Sequence, residues 1–405
     1  MENKIKVSDI RGMGRLAVEA TNGITDIVED MHYTVSTIAG LLGKSDQNRT
    51  KGITGLVYRN IRAVSGLVGD GMDAALGHLE SLIGTDRGKK PDPGREAVLA
   101  ALNGVLGDHL AASENPLAIN MQLRRNGKPV AVDQDSFSVE MIKYSGKIAL
   151  MMHGLCMNDL EWNRHGHDHG EALARDLGYL PVYLNYNTGL HVSENGRLFS
   201  QLMETFTRQL PQPIEIAIIA HSMGGLVCRS GIHYGKLAGH TWINHLRKIV
   251  FLGTPHHGAP LAKGGNWIDI LLEINPYSAP FARLGKIRSS GLTDLRCGNL
   301  IDEDWDGQER FCVSGDNRTP VPLPDGVQCY TIGTTIGDED ACRLGESIVG
   351  DGLVTLNSAL GYHDNPDMNL CFPVKHQWVG RKINHMDLLN HPEVYQTIKQ
   401  WLETV

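Results

Sequence analysis

The chain has 405 residues, 41 % of them apolar and 21 % charged, with a formal net charge of −8. That composition describes a globular protein with room for two or three domains, or one large domain with additions. The acidic balance argues against a nucleic-acid surface and gives no support for an anionic-membrane one. No run of about 18 uncharged apolar residues occurs, so no transmembrane segment is expected. No apolar stretch follows Met1-Glu2-Asn3-Lys4-Ile5-Lys6, so no signal peptide is expected and the expected location is cytoplasmic. The seven cysteines are an odd number without a framework spacing and read as reduced thiols.

The first ~115 residues carry a helical period. Ile24, Ile27, Val28, Met31, Val35 and Ile38 follow it, as do Ile53, Leu56, Val57, Ile61, Val64, Leu67 and Val68. Val98, Leu102, Val105, Leu106 and Leu110 form a third stretch behind a loop at Lys89–Gly94. Thr21-Asn22-Gly23-Ile24-Thr25 recurs as Thr50-Lys51-Gly52-Ile53-Thr54, a faint repeat that two similar antiparallel helices would explain. Residues 1–118 are therefore expected to be a helical region, read first as a structural addition and second as a lid. Gly69-Asp70-Gly71-Met72-Asp73-Ala74 spells a dinucleotide fingerprint. It lies inside a helical period instead of between a strand and a helix, and reads as chance.

Residues 119–405 change character. Met121–Val132 alternates around Asn126-Gly127, which predicts a hairpin. Strands are expected at Lys147–Met152, Leu180–Tyr186, Ile214–Ala220, Leu246–Leu252 and Gln328–Ile332. Helices are expected at Glu171–Asp176, at Ser193–Leu210 behind a serine cap, after Ser222 and at Val394–Leu402. The alternation predicts an α/β fold with a mostly parallel central sheet and helices on both faces. Residues of about 259–325, with Trp267, Ile268, Leu271 and Leu272, interrupt it where a cap or acyl-pocket wall would sit.

The most informative segment is Ile214–Ala220 followed at once by His221-Ser222-Met223-Gly224-Gly225. A buried strand that breaks into a serine flanked by very small residues has the form of a nucleophile elbow, with Ala220 where a glycine is usual. The turn holds the hydroxyl above the sheet and leaves the N–H of Met223 at a helix N-terminus, where an oxyanion is stabilised. A serine needs a base and the base an orienting carboxylate, in the order Ser, Asp or Glu, His. Asp351, in Gly350-Asp351-Gly352-Leu353-Val354, and His385, before the last helix, fit that order. Asp338 and Asp340 compete for the acid, Asp302, Asp304 and Asp306 less so, and Asp387 stands too close to His385 in sequence. His376, in a strand-like stretch, and His391, before Pro392 at the start of the last helix, flank the chosen base. His153-Gly154-Leu155 follows the first long strand, so the N–H of Leu155 is the expected second oxyanion donor. His153 itself is read as a loop histidine without a chemical role.

With Leu252-Gly253-Thr254-Pro255-His256-His257-Gly258 as a fourth stretch beside His153–Leu155, Ala220–Gly225 and Asp351–Val354 with the late His385, the region from about 120 onward resembles the α/β-hydrolase superfamily. Within it the match is to bacterial lipases and esterases, including a branch similar to the GPI inositol-deacylases. The resemblance implies Ser222 as nucleophile, Asp351 as acid, His385 as base, and Leu155 and Met223 as backbone oxyanion donors. It also implies a pocket near Thr254–Gly258, for which His153, His221, Thr254, His256 and Trp267 are candidates. The absence of a secretion signal argues against true GPI-anchor chemistry.

His165-Gly166-His167-Asp168-His169 has metal-ligand chemistry. Alternating residues in one loop rarely converge on one ion, so a polar turn is the expected role and no metal or cofactor is expected. The leading function is a serine carboxylic-ester hydrolase acting on small-molecule or lipid esters. Acyl transfer by the same residues, a metal-dependent protein and a non-catalytic scaffold are the alternatives. Homo-oligomerisation is left open.

Overall fold

The computed structural model describes residues 6–38, 59, 62–63, 73, 92–130, 135–259, 289–307, 316–337 and 350–404. The chain divides into two compact units, 1–89 with 110–118, and 90–109 with 119–405.

In the first unit, α1 (Val7–Ile38) is one long helix over the first predicted period. Most of the second period lies outside the described residues; Arg59, Arg62, Ala63 and Asp73, which fall within or just beyond it, are helical. Asp73 accepts from both Arg11 (2.6 Å) and Arg15 (2.7 Å), and these guanidiniums hold its carboxyl well below the usual range. Asp73 of the dinucleotide-like string is thus helical and serves an ion pair.

Helix α2 (Pro93–Ala112) follows. The second unit is then built on one eight-stranded sheet. Asn126 (φ 52°) and Gly127 (φ 70°) turn the antiparallel pair β1 (Gln122–Arg125) and β2 (Lys128–Pro129), the left-handed pair a tight hairpin demands. After α3 (Asp135–Lys143) come β3 (Lys147–Met152), α4 (His169–Leu177), β4 (Leu180–Asn185), α5 (Val192–Arg208), β5 (Glu215–His221), α6 (Met223–Ala238) and β6 (Leu246–Leu252). Then follow α7 (Ser290–Cys297), β7 (Gln328–Thr335), α8 (Leu356–Ala359), β8 (Gln377–Arg381) and α9 (Pro392–Glu403). The order across the sheet is β2-β1-β4-β3-β5-β6-β7-β8, and β3 to β8 all run parallel.

The apolar runs are continuous because both faces are covered. Ile148, Leu150, Met152, Ile216, Ile218 and Ala220 pack on one face with Phe199 and Met203 of α5 and Leu226 and Val227 of α6. The alternate residues Ala149, Met151, Ala217 and Ile219 pack on the other with Leu173 of α4 and Val394, Ile398 and Trp401 of α9.

Two expectations are corrected. Helix α5 is not opened by Ser193. It starts at Val192 with His191 before it, because Glu194 reaches back to the His191 N–H (3.1 Å) and Asp294, from α7, accepts from the Val192 N–H (2.8 Å). A remote carboxylate satisfies the first-turn donor that a local cap would otherwise take. His376, expected within a strand-like stretch, instead ends a short turn just before β8 and bonds Cys329 O (3.1 Å). Of the insertion, 260–288, including Trp267, and 308–315 lie outside the described residues. The part between them contains α7, capped by Ser289 Oγ, which accepts from the Leu292 N–H (3.2 Å). Among the described residues, no helix is long and apolar enough to cross a membrane.

Candidate active site

Strand β5 ends at His221, and Ser222 turns the chain into α6 with φ 54° and ψ −123°. Such a backbone costs of the order of 1–3 kcal/mol for a residue with a side chain. Its N–H is anchored to Leu252 O (2.9 Å) at the end of β6. The two following glycines are required by close approach. A Cβ on Gly224 would stand 2.6 Å from Met152 O, and one on Gly225 2.1 Å from Thr254 Oγ1. The helix therefore enters hard against the ends of β3 and β6. Its first N–H, that of Met223, has no intrahelical acceptor. Gly154 brings the β3 loop to the same place, since a Cβ there would lie 3.0 Å from Ser222 Cβ and 3.1 Å from His221 Nδ1. Leu155 follows it and is buried.

Asp351 and His385 meet. His385 Nδ1 and Asp351 Oδ2 are 2.6 Å apart, and both side chains are buried. The backbone repeats the pairing, with the His385 N–H donating to Asp351 O (3.0 Å). Asp351 Oδ1 accepts from the N–H groups of Leu353 (3.0 Å) and Val354 (2.8 Å). Both carboxylate oxygens are thereby oriented, and His385 donates to one of them through Nδ1. The pair stands at Gly253: a Cβ there would lie 3.0 Å from Asp351 Oδ2 and 3.2 Å from His385 Cε1. Ser222 bonds the residue just before that glycine, so serine and imidazole flank one backbone step.

The rival acids serve elsewhere. Asp302 pairs with Arg197 (2.5 Å), Asp304 caps backbone N–H groups, and Asp387 accepts from the Asn384 N–H (3.2 Å). Asp338 and Asp340 lie outside the described residues. His391 caps α9.

The pocket candidates divide. His221 donates from Nε2 to His385 O (3.1 Å) and its ring lies 4.6 Å from the His385 ring. Burial, and then the neighbouring His385, push its pKa well down. It is a neutral strut beneath the other histidine, a role without a sequence signal. His153 stacks on Tyr186 at 4.5 Å, and burial lowers its pKa to about 4. The Tyr186 hydroxyl donates to His153 O (2.8 Å), which ties down the Gly154 loop. Thr254 packs on Gly225. His256 faces a cavity beside α6 lined also by Arg229 and Arg318, two cations that the sequence reading passed over. Of the histidine loop, His167 Nε2 lies 2.8 Å from His169 Nδ1, and His169 Nε2 donates to Leu388 O (2.9 Å). Both ring nitrogens of His169 are thus occupied within the protein.

A family model described as a domain of unknown function (DUF7379) matches residues 189–286. No curated protein matches the chain. Among solved structures, the mature form of the Bacillus licheniformis lipase BlEst2 is similar at 14 % identity and a TM-score of 0.43, over 71 % of this chain and 98 % of that one. Aspergillus fumigatus lipase B is similar at 11 % identity and a TM-score of 0.40, over 70 % and 55 %. EstA from Clostridium botulinum is similar at 14 % identity and a TM-score of 0.36, over 64 % and 88 %. The parallel strands β3 to β8 alternate with helices on both faces, and a strained serine stands between β5 and α6. The fold is that of the α/β-hydrolases.

Proposed function

We propose that the protein is a serine carboxylic-ester hydrolase that works through an acyl-enzyme on Ser222. The observation that carries this reading is the 2.6 Å bond between His385 Nδ1 and Asp351 Oδ2, buried beside the backbone step that holds Ser222. With Nδ1–H committed to the carboxylate, Nε2 is the only ring atom able to take a proton from a hydroxyl.

In this reading Ser222 Oγ attacks the ester carbonyl while His385 Nε2 accepts its proton, and Asp351 stabilises the resulting imidazolium. The N–H groups of Met223 and Leu155 receive the oxyanion. His385 then protonates the departing alcohol and, in the second half, activates water against the acyl-enzyme. The strain at Ser222 supports the assignment, because a turn that costs free energy persists only where surrounding packing enforces it. An acceptor alcohol in place of water would give acyl transfer from the same intermediate. The finer resemblance, to bacterial lipases and a branch similar to the GPI inositol-deacylases, rests on the motif set alone. The substrate class proposed is a small-molecule or lipid ester.

The test is turnover of p-nitrophenyl esters of graded chain length by wild type and Ser222→Ala, with a fluorophosphonate label read by mass spectrometry. Wild type should hydrolyse at least one ester and carry the label on Ser222, and the variant should do neither. Equal turnover by the variant would refute the proposal.

A further inference from the structure

Helix α6 carries an arginine on a face that is otherwise turned inward. Arg229 lies seven residues past Ser222, about 10 Å along the axis, and is 4 % exposed. Among the described residues no carboxylate pairs with it. Its Nη2 donates to Val321 O (2.6 Å), its Nη1 lies 3.4 Å from His256 Nδ1 and 3.5 Å from His256 O, and its Nε has no partner. Arg318 reaches the same carbonyl. Its Nη1 lies 3.5 Å from His256 O and donates to Gly298 O (2.9 Å), while Asp316 holds its Nε and Nη2. Two guanidiniums thus converge on one oxygen.

His256 completes the arrangement. An arginine only donates, so His256 Nδ1 accepts from Arg229 and the proton of the neutral ring sits on Nε2. That Nε2 is buried and has no partner, a donor without an acceptor. Burial, and then Arg229, hold the imidazole well below its ordinary pKa, so it stays neutral. Arg229 is itself lowered to about 9, by burial first and by Arg318 second. These groups line a cavity of about 190 Å³. Asp304 on its wall does not supply the missing acceptor, because its oxygens take the N–H groups of Leu300 (2.8 Å), Ile301 (3.2 Å) and Thr319 (2.9 Å).

A desolvated cation facing a second cation is costly unless an anion lies between them. We propose that this cavity binds a small oxyanion, a carboxylate or a phosphate, through the Arg229 guanidinium and the Nε2–H of His256, with Arg318 adding charge. Charge-assisted bonds from a fixed guanidinium to such an anion are the strong kind. The cavity lining includes none of Ser222, Asp351 and His385, so the site stands whether or not the ester reading holds.

The test is calorimetric titration of the full chain with sodium phosphate and, separately, sodium acetate, at constant ionic strength set with sodium chloride. At least one should bind saturably with one-to-one stoichiometry and a Kd of roughly 1 mM or below, and should raise the melting temperature with concentration. Affinity should fall tenfold or more in Arg229→Gln and in Arg318→Gln. If Arg229→Gln does not fold, Arg318→Gln decides, since its side chain stands nearer solvent. Phosphate alone binding identifies phosphate as the ligand chemistry, and acetate alone identifies carboxylate. No saturable binding of either anion, or binding unchanged in the folded variants, would overturn the proposal.

Discussion

Replacing Asp351 by Asn tests the acid–base pair with little change of shape. Asp351 Oδ1 faces two donors, the N–H groups of Leu353 and Val354, and Oδ2 faces His385 Nδ1. An amide must keep its oxygen toward the two donors, which places its NH₂ against the imidazole. The amide N–H then donates to Nδ1, and the ring proton is driven to Nε2. A histidine protonated there has no lone pair for the Ser222 hydroxyl. The expected loss in kcat is about 10³- to 10⁴-fold, or roughly 4–5.5 kcal/mol of barrier. The fold should lose only about 1.5–3 kcal/mol, the worth of a hydrogen bond to a charged group. The assay is steady-state hydrolysis of the best p-nitrophenyl ester near pH 7.5, with urea unfolding of both proteins alongside. KM should change little, because neither residue is assigned to ground-state binding. A folded variant within tenfold of wild-type kcat would refute the reasoning, since the imidazole would then not depend on its carboxylate.

The strain at Ser222 predicts a stability order. Ser222→Gly should unfold at higher urea than Ser222→Ala, by about 1–3 kcal/mol, because φ 54° with ψ −123° suits glycine and strains alanine; equal midpoints would mean the turn stores no strain. Gly154→Ala should cut kcat by tenfold or more, with a smaller effect on folding, because its methyl would stand 3.0 Å from Ser222 Cβ and 3.1 Å from His221 Nδ1; an alanine variant with wild-type kcat would show that this loop does not bear on the serine. The protein should lose stability as the pH falls from about 6.5 toward 4. Burial holds His153 at about 4 and His169 at about 3 in the folded chain, so across that window the unfolded chain binds more protons and is favoured. The contribution of His153 alone is on the order of 3 kcal/mol. Urea midpoints that stay level from pH 7 to pH 4.5 would contradict it.

The sequence by itself determined the strands β3, β5 and β6, the hairpin at Asn126-Gly127 and the sharp turn at Ser222. Each is a local necessity. A strand buried on both faces must be apolar throughout, a two-residue turn needs left-handed backbone, and a helix entering against two strand ends needs glycines at 224 and 225. The order Ser222, Asp351, His385 was also readable, as the chain order in which such residues occur. Its glycine-rich loop set Asp351 ahead of Asp338 and Asp340, but the contact itself was not readable, because it forms only where Gly350–Val354 meets the backbone and ring of His385. Nor could the sequence show the strut from His221 to the His385 carbonyl, 164 residues apart, or the carboxylate of Asp294 that moves the start of α5. The bounds of β8 were not readable, because it is a short edge strand, Gln377–Arg381, without an apolar run. The pairing of Arg229 with Arg318 around His256 is likewise a product of three distant segments packing together. Local backbone and burial leave a periodic trace along the chain, whereas contacts between distant polar groups leave none, and those contacts were decided by the tertiary structure.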